Sequence, residues 1–364
     1  MKKVKLGEVC EILNGFAFKS LLYVNEGIRI IRITNVQKGY IEDSDPKYYP
    51  IEYTNSIEKY ILKENDLLMS LTGNVGRVGL ISKTMLPAAL NQRVACLRTI
   101  DSLISKEYVF QFLNSDLFEQ SAIRSSNGVA QKNLSTDWLK KVEITYPSVE
   151  QQELITSTLN LIERLICCRK EQNKKLNELV KSRFNEMFGD PINNDKKFAV
   201  KTGQQCFKFS SGKFLDKNDR VFEGYPAYGG NGIAWKSRNY LIDNPTIIIG
   251  RVGAYCGNVR TTHGKVWISD NAIYIKEFKN LDFNLVFLLE LMKVIDFSRF
   301  ADFSGQPKIT QKPLEKQKYI LPHLALQNEF ADFVAQVDKS QLAIQKSLEE
   351  LETLKKSLMQ EYFG

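Results

Sequence analysis

The sequence predicts an α+β protein: two pseudo-repeated mixed α/β domains separated by two long antiparallel helices that form an intramolecular coiled coil. Three observations predict this fold class. A long helical pattern at residues 147–190 recurs 175 residues later, at the C-terminus of the 364-residue chain. Each copy follows a segment of short strand-like runs. A chain of this length is also long enough for two cores of ordinary size.

The two helical copies align without a gap, and both have the period of a helix. The aligned pairs that set the register are Pro147 with Pro322, Gln152 with Gln327, Phe188 with Phe363 and Gly189 with Gly364. Apolar residues recur at three- and four-residue steps, no Pro or Gly interrupts either copy, and a final glycine can close each helix. About 38 residues at ~1.5 Å per residue make a rod of roughly 57 Å. A dimerisation coiled coil is the alternative, but two copies in one chain favour an intramolecular pair.

The segments before each helical copy are predicted to be mixed domains. The predicted boundaries are residues 1–146 for the first domain, 147–190 for the central helix, 191–321 for the second domain and 322–364 for the C-terminal helix. Runs rich in β-branched and apolar residues predict strands. These predicted strands are 28–36, 66–71, 78–82 and 94–100 in the first domain and 246–249, 266–268 and 272–275 in the second. Helical spacing predicts one helix per domain, at 108–123 and 283–297.

Charge indicates a polyanionic partner for the domains. The chain carries a net charge of +8, which divides into +10 on the two predicted domains and −2 on the two helical segments. Such a basic surface is typical of proteins that bind nucleic acid. The six cysteines include no Cys-x-x-Cys pair, so neither a zinc site nor a disulfide framework is indicated. The lysine-rich N-terminus has no apolar signal region behind it and no run is long enough to span a membrane, so we expect a cytoplasmic protein.

A glycine-rich loop follows the second predicted strand, at residues 71–79. It lacks the Gly-Lys-Ser/Thr of a nucleotide phosphate loop. A tight hairpin is one interpretation. The other is a loop whose backbone approaches a DNA strand, with Asn74 and Arg77 reaching bases or phosphates. In the alignment of the two domains, Arg251 occupies the position of Asn74. Lys132 and Lys308 also match after a polar turn, as phosphate contacts or as solvated turn residues.

Catalytic motifs are scarce. A DNA methyltransferase needs a cofactor-binding glycine motif and an Asn/Asp-Pro-Pro-Tyr/Phe tetrapeptide, whereas the chain has only Asn-Pro-Thr-Ile at 244–247. Asp270, Glu277 and Lys279 imitate the Asp…Glu-x-Lys metal site of nucleases, a spacing that is common by chance. With two histidines there is little scope for a histidine-based triad or metal site.

Several of these motifs, in this order and duplicated, resemble the specificity subunit of Type I restriction-modification enzymes. The resemblance spans the chain and rests on residues 14–20, 31–36, 66–73 and 128–134, on the Pro-x-x-x-x-Gln start of both helices and on their Phe-Gly ends. The helix starts depart from the Pro-Pro-Leu that is frequent in the family. The second domain also lacks a clear copy of the Thr72-Gly73 motif.

The resemblance implies two target recognition domains that each read one half of a bipartite, asymmetric site in double-stranded DNA. It implies docking surfaces for two modification (methyltransferase) subunits and for restriction/translocase subunits, which would bring S-adenosylmethionine, ATP and Mg. It implies no catalytic, metal or cofactor residue in this chain. A nuclease and a coiled-coil scaffold that does not bind DNA are the competing hypotheses. The candidate DNA-binding residues are Lys19, Thr72, Asn74, Arg77, Arg93, Lys132, Lys213, Arg251 and Lys308.

Overall fold

The computed structural model describes residues 2–126, 133–279 and 283–364 and divides the chain into two compact units. Unit 1 comprises Met1–Arg169 and Ser347–Gly364, and unit 2 comprises Lys170–Lys346. The division falls inside both long helices, so each unit contains half of each. The domain boundaries predicted from the sequence, at 146, 190 and 321, lie instead at the ends of the two long helices. None of the described helices is both long and apolar enough to cross a membrane.

Unit 1 begins with a sheet-rich segment. Its elements are β1 (Lys2–Lys5), α1 (Leu6–Val9), β2 (Cys10–Asn14), β3 (Ile28–Ile31), β4 (Tyr48–Tyr49), β5 (Leu67–Ser70), β6 (Val78–Leu80), β7 (Ala88–Leu90), β8 (Val94–Thr99), α2 (Lys106–Leu113), α3 (Asp116–Ser125), α4 (Thr136–Lys141), β9 (Glu143–Tyr146) and α5 (Val149–Phe188), of which α5 continues into unit 2. The predicted helix at 108–123 is two helices, because the Ser115 side chain caps a new one by accepting a hydrogen bond from Phe118 N.

Unit 2 repeats this order with a different outer region. Its elements are β10 (Ala199–Thr202), α6 (Gly203–Cys206), β11 (Phe207–Ser211), β12 (Arg220–Val221), β13 (Tyr225–Gly229), β14 (Gly232–Ser237), β15 (Ile247–Gly250), β16 (Val259–Thr261), β17 (Trp267–Ile268), β18 (Ala272–Phe278), α7 (Leu285–Ile295), α8 (Gln311–Lys316), β19 (Lys318–Leu321) and α9 (Leu324–Phe363), of which α9 ends in unit 1.

The sheets confirm the predicted pseudo-repeat. The central sheet has the order β2-β8-β5-β6 in unit 1 and β11-β18-β15-β16 in unit 2. A two-stranded sheet, β1-β9 or β10-β19, precedes the long helix in each unit. A parallel pair, β3 with β7 or β13 with β17, belongs to an outer sheet. Both faces of each central sheet are covered, so β5 and β15 have no exposed face and are buried throughout.

One face of each central sheet packs against helices and the other against the outer sheet. In unit 1, Met69 of β5 packs in the cluster that includes Tyr108 of α2, while its neighbour Leu68 packs with Ile31 of β3. In unit 2, Ile249 of β15 packs in the cluster of α7, and Ile248 packs on the opposite face. This alternation is the two-residue period of a strand.

The halves of the long helices pair antiparallel within each unit. In unit 2, Gln341 Nε2 donates to Asn177 Oδ1 at 3.0 Å, and Arg183 pairs with Glu329 at 2.9 Å, so positions advance on α5 as they recede on α9. In unit 1, Lys355 pairs with Glu163 at 2.8 Å. The predicted antiparallel pair is therefore confirmed.

The Phe-Gly endings pack each helix end onto a domain helix. The ring of Phe188 lies 4.6 Å from that of Phe287 on α7, and the ring of Phe363 lies 5.3 Å from that of Tyr108 on α2 (centroid distances). Gly189 has φ +66°, the left-handed conformation that closes a helix.

Candidate nucleic-acid interface

In unit 1, the predicted glycine loop is the turn of the β5–β6 hairpin. Gly73 and Gly76 have φ of +74° and +80°, which glycine adopts without strain. The Ser70 side chain organises the turn, since its Oγ donates to the Asn74 carbonyl at 2.5 Å and accepts from Arg77 N at 3.2 Å. The hairpin interpretation is therefore correct for the fold of this loop.

The loop leaves Asn74 exposed and Arg77 half-buried. The Arg77 guanidinium donates from Nη1 to Gln37 Oε1 at 2.8 Å, which fixes its direction. Thr72 is 7% exposed and forms a bridge with Asn133, so little of its side chain is available to a ligand. Lys132 lies outside the described residues.

Lys19 and Arg93 are exposed near the same end of the unit. The Arg93 carbonyl accepts from Leu71 N at 3.0 Å, which places Arg93 beside the start of the glycine loop. The segment leading to Lys19 passes close to the chain at Asn91. A Cβ on Gly15 would lie 2.1 Å from the Asn91 carbonyl oxygen, so only glycine fits there.

In unit 2, Lys213 and Lys308 are exposed and Arg251 is half-buried. Arg251 follows β15 directly, and Lys308 is bridged to Val252, the next residue. These two predicted residues are therefore brought together. Lys213 follows Gly212, where a Cβ would lie 2.1 Å from the Ser269 carbonyl oxygen, the same close approach as at Gly15.

The predicted equivalence of Arg251 with Asn74 is wrong. Strand pairing matches Ser70 with Gly250, because Ser70 pairs with Val94 of β8 and Gly250 pairs with Ala272 of β18. Arg251 therefore takes the position of Leu71.

The error has a physical cause. Both loops contain Gly-x-Val-Gly, but Gly250 ends a strand, whereas Gly73 lies in the turn. The true counterpart of Gly73 is Gly253, with φ +80°. By the same bridges Lys308 corresponds to Asn133 rather than to Lys132.

A feature that the sequence patterns did not predict lies beside Arg251. A groove of about 510 Å³ is lined by residues of β13, β14, the loop after β15 and the segment from β11 to β12, among them Phe214, Arg220, Trp235, Val252 and Tyr255. The Arg220 guanidinium stacks on the Trp235 ring at 4.6 Å. The sequence signal for this groove is the run Ile-Ala-Trp-Lys after a Gly-Gly-Asn-Gly turn. This run does not predict a strand, because it does not alternate between apolar and polar residues as a half-buried strand does.

The three residues of the nuclease hypothesis do not converge. Asp270 lies in the turn before β18 and Glu277 near the end of that strand, so the five steps from Ala272 to Glu277 alone span about 16 Å at ~3.3 Å per residue. Glu277 instead pairs with Lys208 at 3.8 Å, and Lys279 Nζ donates to the Gln204 carbonyl at 2.8 Å. Within residues 2–126, 133–279 and 283–364, no group of three His, Cys, Asp or Glu side chains could hold a metal ion.

Buried cysteines offer no activated nucleophile. Burial raises the pKa of the Cys10 thiol to about 12 and also raises the pKa values of Cys96 and Cys256. Because the thiolate is the reactive form, burial lowers the reactivity of these three thiols.

Comparison with known proteins identifies similar sequences and folds. The family model described as Type I restriction modification DNA specificity domain matches residues 1–181 and 195–354. The Type I restriction enzyme EcoAI specificity subunit of Escherichia coli is 34% identical over 168 residues, which cover 44% of this chain and 28% of that protein. The MjaVIII specificity subunit of Methanocaldococcus jannaschii is 27% identical over 186 residues, which cover 50% of this chain and 44% of that protein. The chain thus spans less than half the length of these two curated relatives.

A solved structure shows the same fold. The crystal structure of the Type-I restriction-modification system S subunit from M. genitalium superimposes with a TM-score of 0.64 at 20% identity, covering 100% of this chain and 96% of that one. At this level of identity the likeness concerns the fold alone.

Proposed function

Because the chain belongs to the family of Type I restriction modification DNA specificity domains, we propose that it supplies DNA sequence specificity to a Type I restriction-modification complex in the cytoplasm. The observation that carries this proposal is the repetition of one central-sheet topology in two units whose outer sheets differ. Each unit reads one half of a bipartite site in double-stranded DNA. Since the outer sheets differ, the two half-sites differ in sequence.

Charge supports DNA as the ligand of both units. The net charge of +10 on the two sheet-rich segments attracts phosphates, and the exposed Lys19, Asn74 and Arg93 in unit 1 lie beside loops rather than in the core. In unit 2, Lys213, Arg251 and Lys308 have the corresponding role. Phosphate contacts of this kind position the protein, whereas base contacts specify the sequence.

The long helices supply docking surfaces for two methyltransferase subunits. In unit 1, Leu154, Leu161 and Leu165 of α5 are 67%, 53% and 41% exposed. Their spacing of seven and four residues puts them on one helix face. An exposed leucine stripe of this kind suits a protein partner. Restriction/translocase subunits join the same complex.

We assign no catalytic step to this chain. S-adenosylmethionine, ATP and Mg belong to the partner subunits in this proposal, and the chain contributes recognition. The separation of Asp270 from Glu277 removes the main support for the nuclease hypothesis.

Reconstitution tests the proposal. The purified chain alone and the methyltransferase subunit alone are each expected to give no sequence-specific methyl transfer to plasmid DNA, while their mixture methylates a gapped motif. Methyl transfer by the chain alone, or metal-dependent cutting of DNA by the chain alone, would contradict it. A mixture that forms a complex without retaining DNA would favour the scaffold hypothesis.

A further inference from the structure

The outer sheet of unit 2 contains a strand with an unusual exposure pattern. Four consecutive residues of β14, Ile233 to Lys236, are exposed, although β14 lies between β12 and β13. A strand covered on one face would bury every second residue. Both faces of this strand are therefore open to a ligand.

The described residues of unit 1 form no equivalent surface. The position of β14 beside β13 is taken in unit 1 by β4 beside β3, and β4 has only two residues, of which Tyr49 is 3% exposed. In unit 1 the outer edge of β4 is met by an isolated antiparallel bridge from Val24, whose N donates to the Tyr48 carbonyl at 3.1 Å, whereas the strand β12 extends the sheet in unit 2. The two units thus differ in the outer sheet around β14, as expected if these outer sheets read different DNA sequences.

The charge on the two outer sheets also differs. In unit 1, Arg29 stacks on Tyr48 at 5.2 Å, but its guanidinium pairs with Asp43. In unit 2, Arg220 stacks on Trp235 at 4.6 Å, and among the described residues no carboxylate pairs with it. The Arg220 Nε is buried and has no hydrogen-bond partner in the described structure. Among the described residues, the guanidinium of Arg220 therefore lacks the carboxylate partner that the guanidinium of Arg29 has, and it can bind an anion or a base.

Apolar and basic side chains surround this pair. Phe214, Ile233 and Trp235 are 68%, 60% and 54% exposed, and such a patch on a folded domain marks a binding surface. The segment from Lys213 to Lys265 carries eight Lys and Arg against four Asp and Glu. An aromatic and basic surface on an antiparallel ribbon matches the DNA major groove, which admits a β-ribbon.

We propose that the face of β14 that carries Trp235, with Arg220 stacked on the Trp235 ring, contacts the base edges of the half-site read by unit 2. This inference rests on the proposed function. The guanidinium presents paired donors to a base edge, and the apolar surface of the Trp235 ring suits contact with a thymine methyl group. The neighbouring Arg251 and Lys308 contact phosphates on the other side of the DNA major groove.

The alternation of the strand provides a matched control. Trp235 and Lys236 are consecutive and both exposed, so they lie on opposite faces of β14. Lys236→Gln removes a charge from the face that does not carry Arg220. Trp235→Ala and Arg220→Gln alter the proposed reading face.

The experiment uses the full chain with its methyltransferase subunits. Each variant complex is bound to duplexes in which the bases of either half-site are changed one at a time. For the wild type, one changed base in either half-site is expected to weaken binding by about 10- to 100-fold. With Trp235→Ala or Arg220→Gln, one changed base at one or more positions of one half-site is expected to weaken binding by no more than about 2-fold. The loss of affinity for changed bases in the other half-site stays as in the wild type. Lys236→Gln keeps every penalty.

Three results would overturn the inference. Unchanged penalties in both variants remove this face from base reading. Equal weakening on all duplexes makes it a phosphate contact only, and loss of the methyltransferase subunit from the complex makes it a protein interface. If the Trp235→Ala variant does not fold, the Arg220→Gln variant alone tests the inference. A wild type that shows no bipartite preference refutes the proposed function rather than this inference.

Discussion

Gln152 and Gln327 show how single residues fix each long helix onto its unit. Both are 0% exposed. The Gln152 amide donates to the carbonyls of Leu103 and Pro147 at 2.8 and 3.0 Å and accepts from Ser105 N at 2.8 Å. Gln327 likewise donates to the Pro322 carbonyl at 2.8 Å and accepts from Asn284 N at 2.9 Å. The Pro-x-x-x-x-Gln pattern therefore marks a buried contact between the start of the long helix and the start of a domain helix.

Gln152→Ala is expected to weaken this joint in unit 1. It leaves the Ser105 N–H and the Leu103 carbonyl without a partner, at a cost of about 3 kcal/mol in the free energy of local unfolding. Hydrogen exchange at the amides of α2 measures the change. Gln151→Ala, one residue earlier on the exposed side, is the control and should leave protection unchanged. Equal protection in both variants would show that the joint contributes no stability.

Arg77→Ala is expected to weaken DNA binding through the first half-site only. Arg77 lies beside the turn that presents Asn74, and Gln37 holds its guanidinium in place. Loss of one arginine contact to a base or phosphate typically reduces affinity by about 5- to 100-fold. Titration of the complex with duplexes carrying either half-site alone measures it. Lys83→Ala removes an exposed charge elsewhere in unit 1 and should have little effect. Unchanged affinity in Arg77→Ala would exclude this loop from the interface.

At the scale of elements, long periodic segments were predictable and short exposed ones were not. The helices at 147–190 and 322–364 begin and end within two residues of the predicted bounds, because forty residues of apolar period outweigh local propensity. β14 was missed because a strand open on both faces has no alternating pattern, and β12 because it has only two residues. The equivalence of Arg251 was misplaced because a repeated tetrapeptide does not record where a strand ends.

The stability of the helix pair is expected to come from its apolar face rather than from its ion pairs. Phe330 is 0% exposed and lies among Phe184, Phe188 and Phe287, whereas its neighbour Glu329 is exposed and pairs with Arg183. Phe330→Ala should lower the free energy of unfolding by about 3–5 kcal/mol. Glu329→Ala should lower it by less than about 1 kcal/mol.

Urea denaturation of the full chain compares the two variants directly. Because the two positions are adjacent in the same helix, their location in the chain is matched. A larger loss from Glu329→Ala than from Phe330→Ala would contradict the assignment of stability to the aromatic cluster.

At the scale of the whole molecule, the repeat separates what is shared from what differs. The central sheets, the buried glutamines and the Phe-Gly ends are shared, and each belongs to the core or to the helices. The outer sheets and the loops beside them differ. This division could be anticipated from the duplicated motifs, but the choice of bases could not, because it depends on side chains in the regions where the two copies no longer align.

A genome-wide map of methylated bases in the source organism, with and without the gene for this chain, tests the proposed specificity directly. A gapped, asymmetric motif is expected to be methylated only when the gene is present, and the map then gives the sequences of both half-sites. Reintroducing the gene should restore the motif. The same methylated motifs with and without the gene, in cells that produce the protein and its methyltransferase partner, would contradict the proposal that this chain supplies sequence specificity.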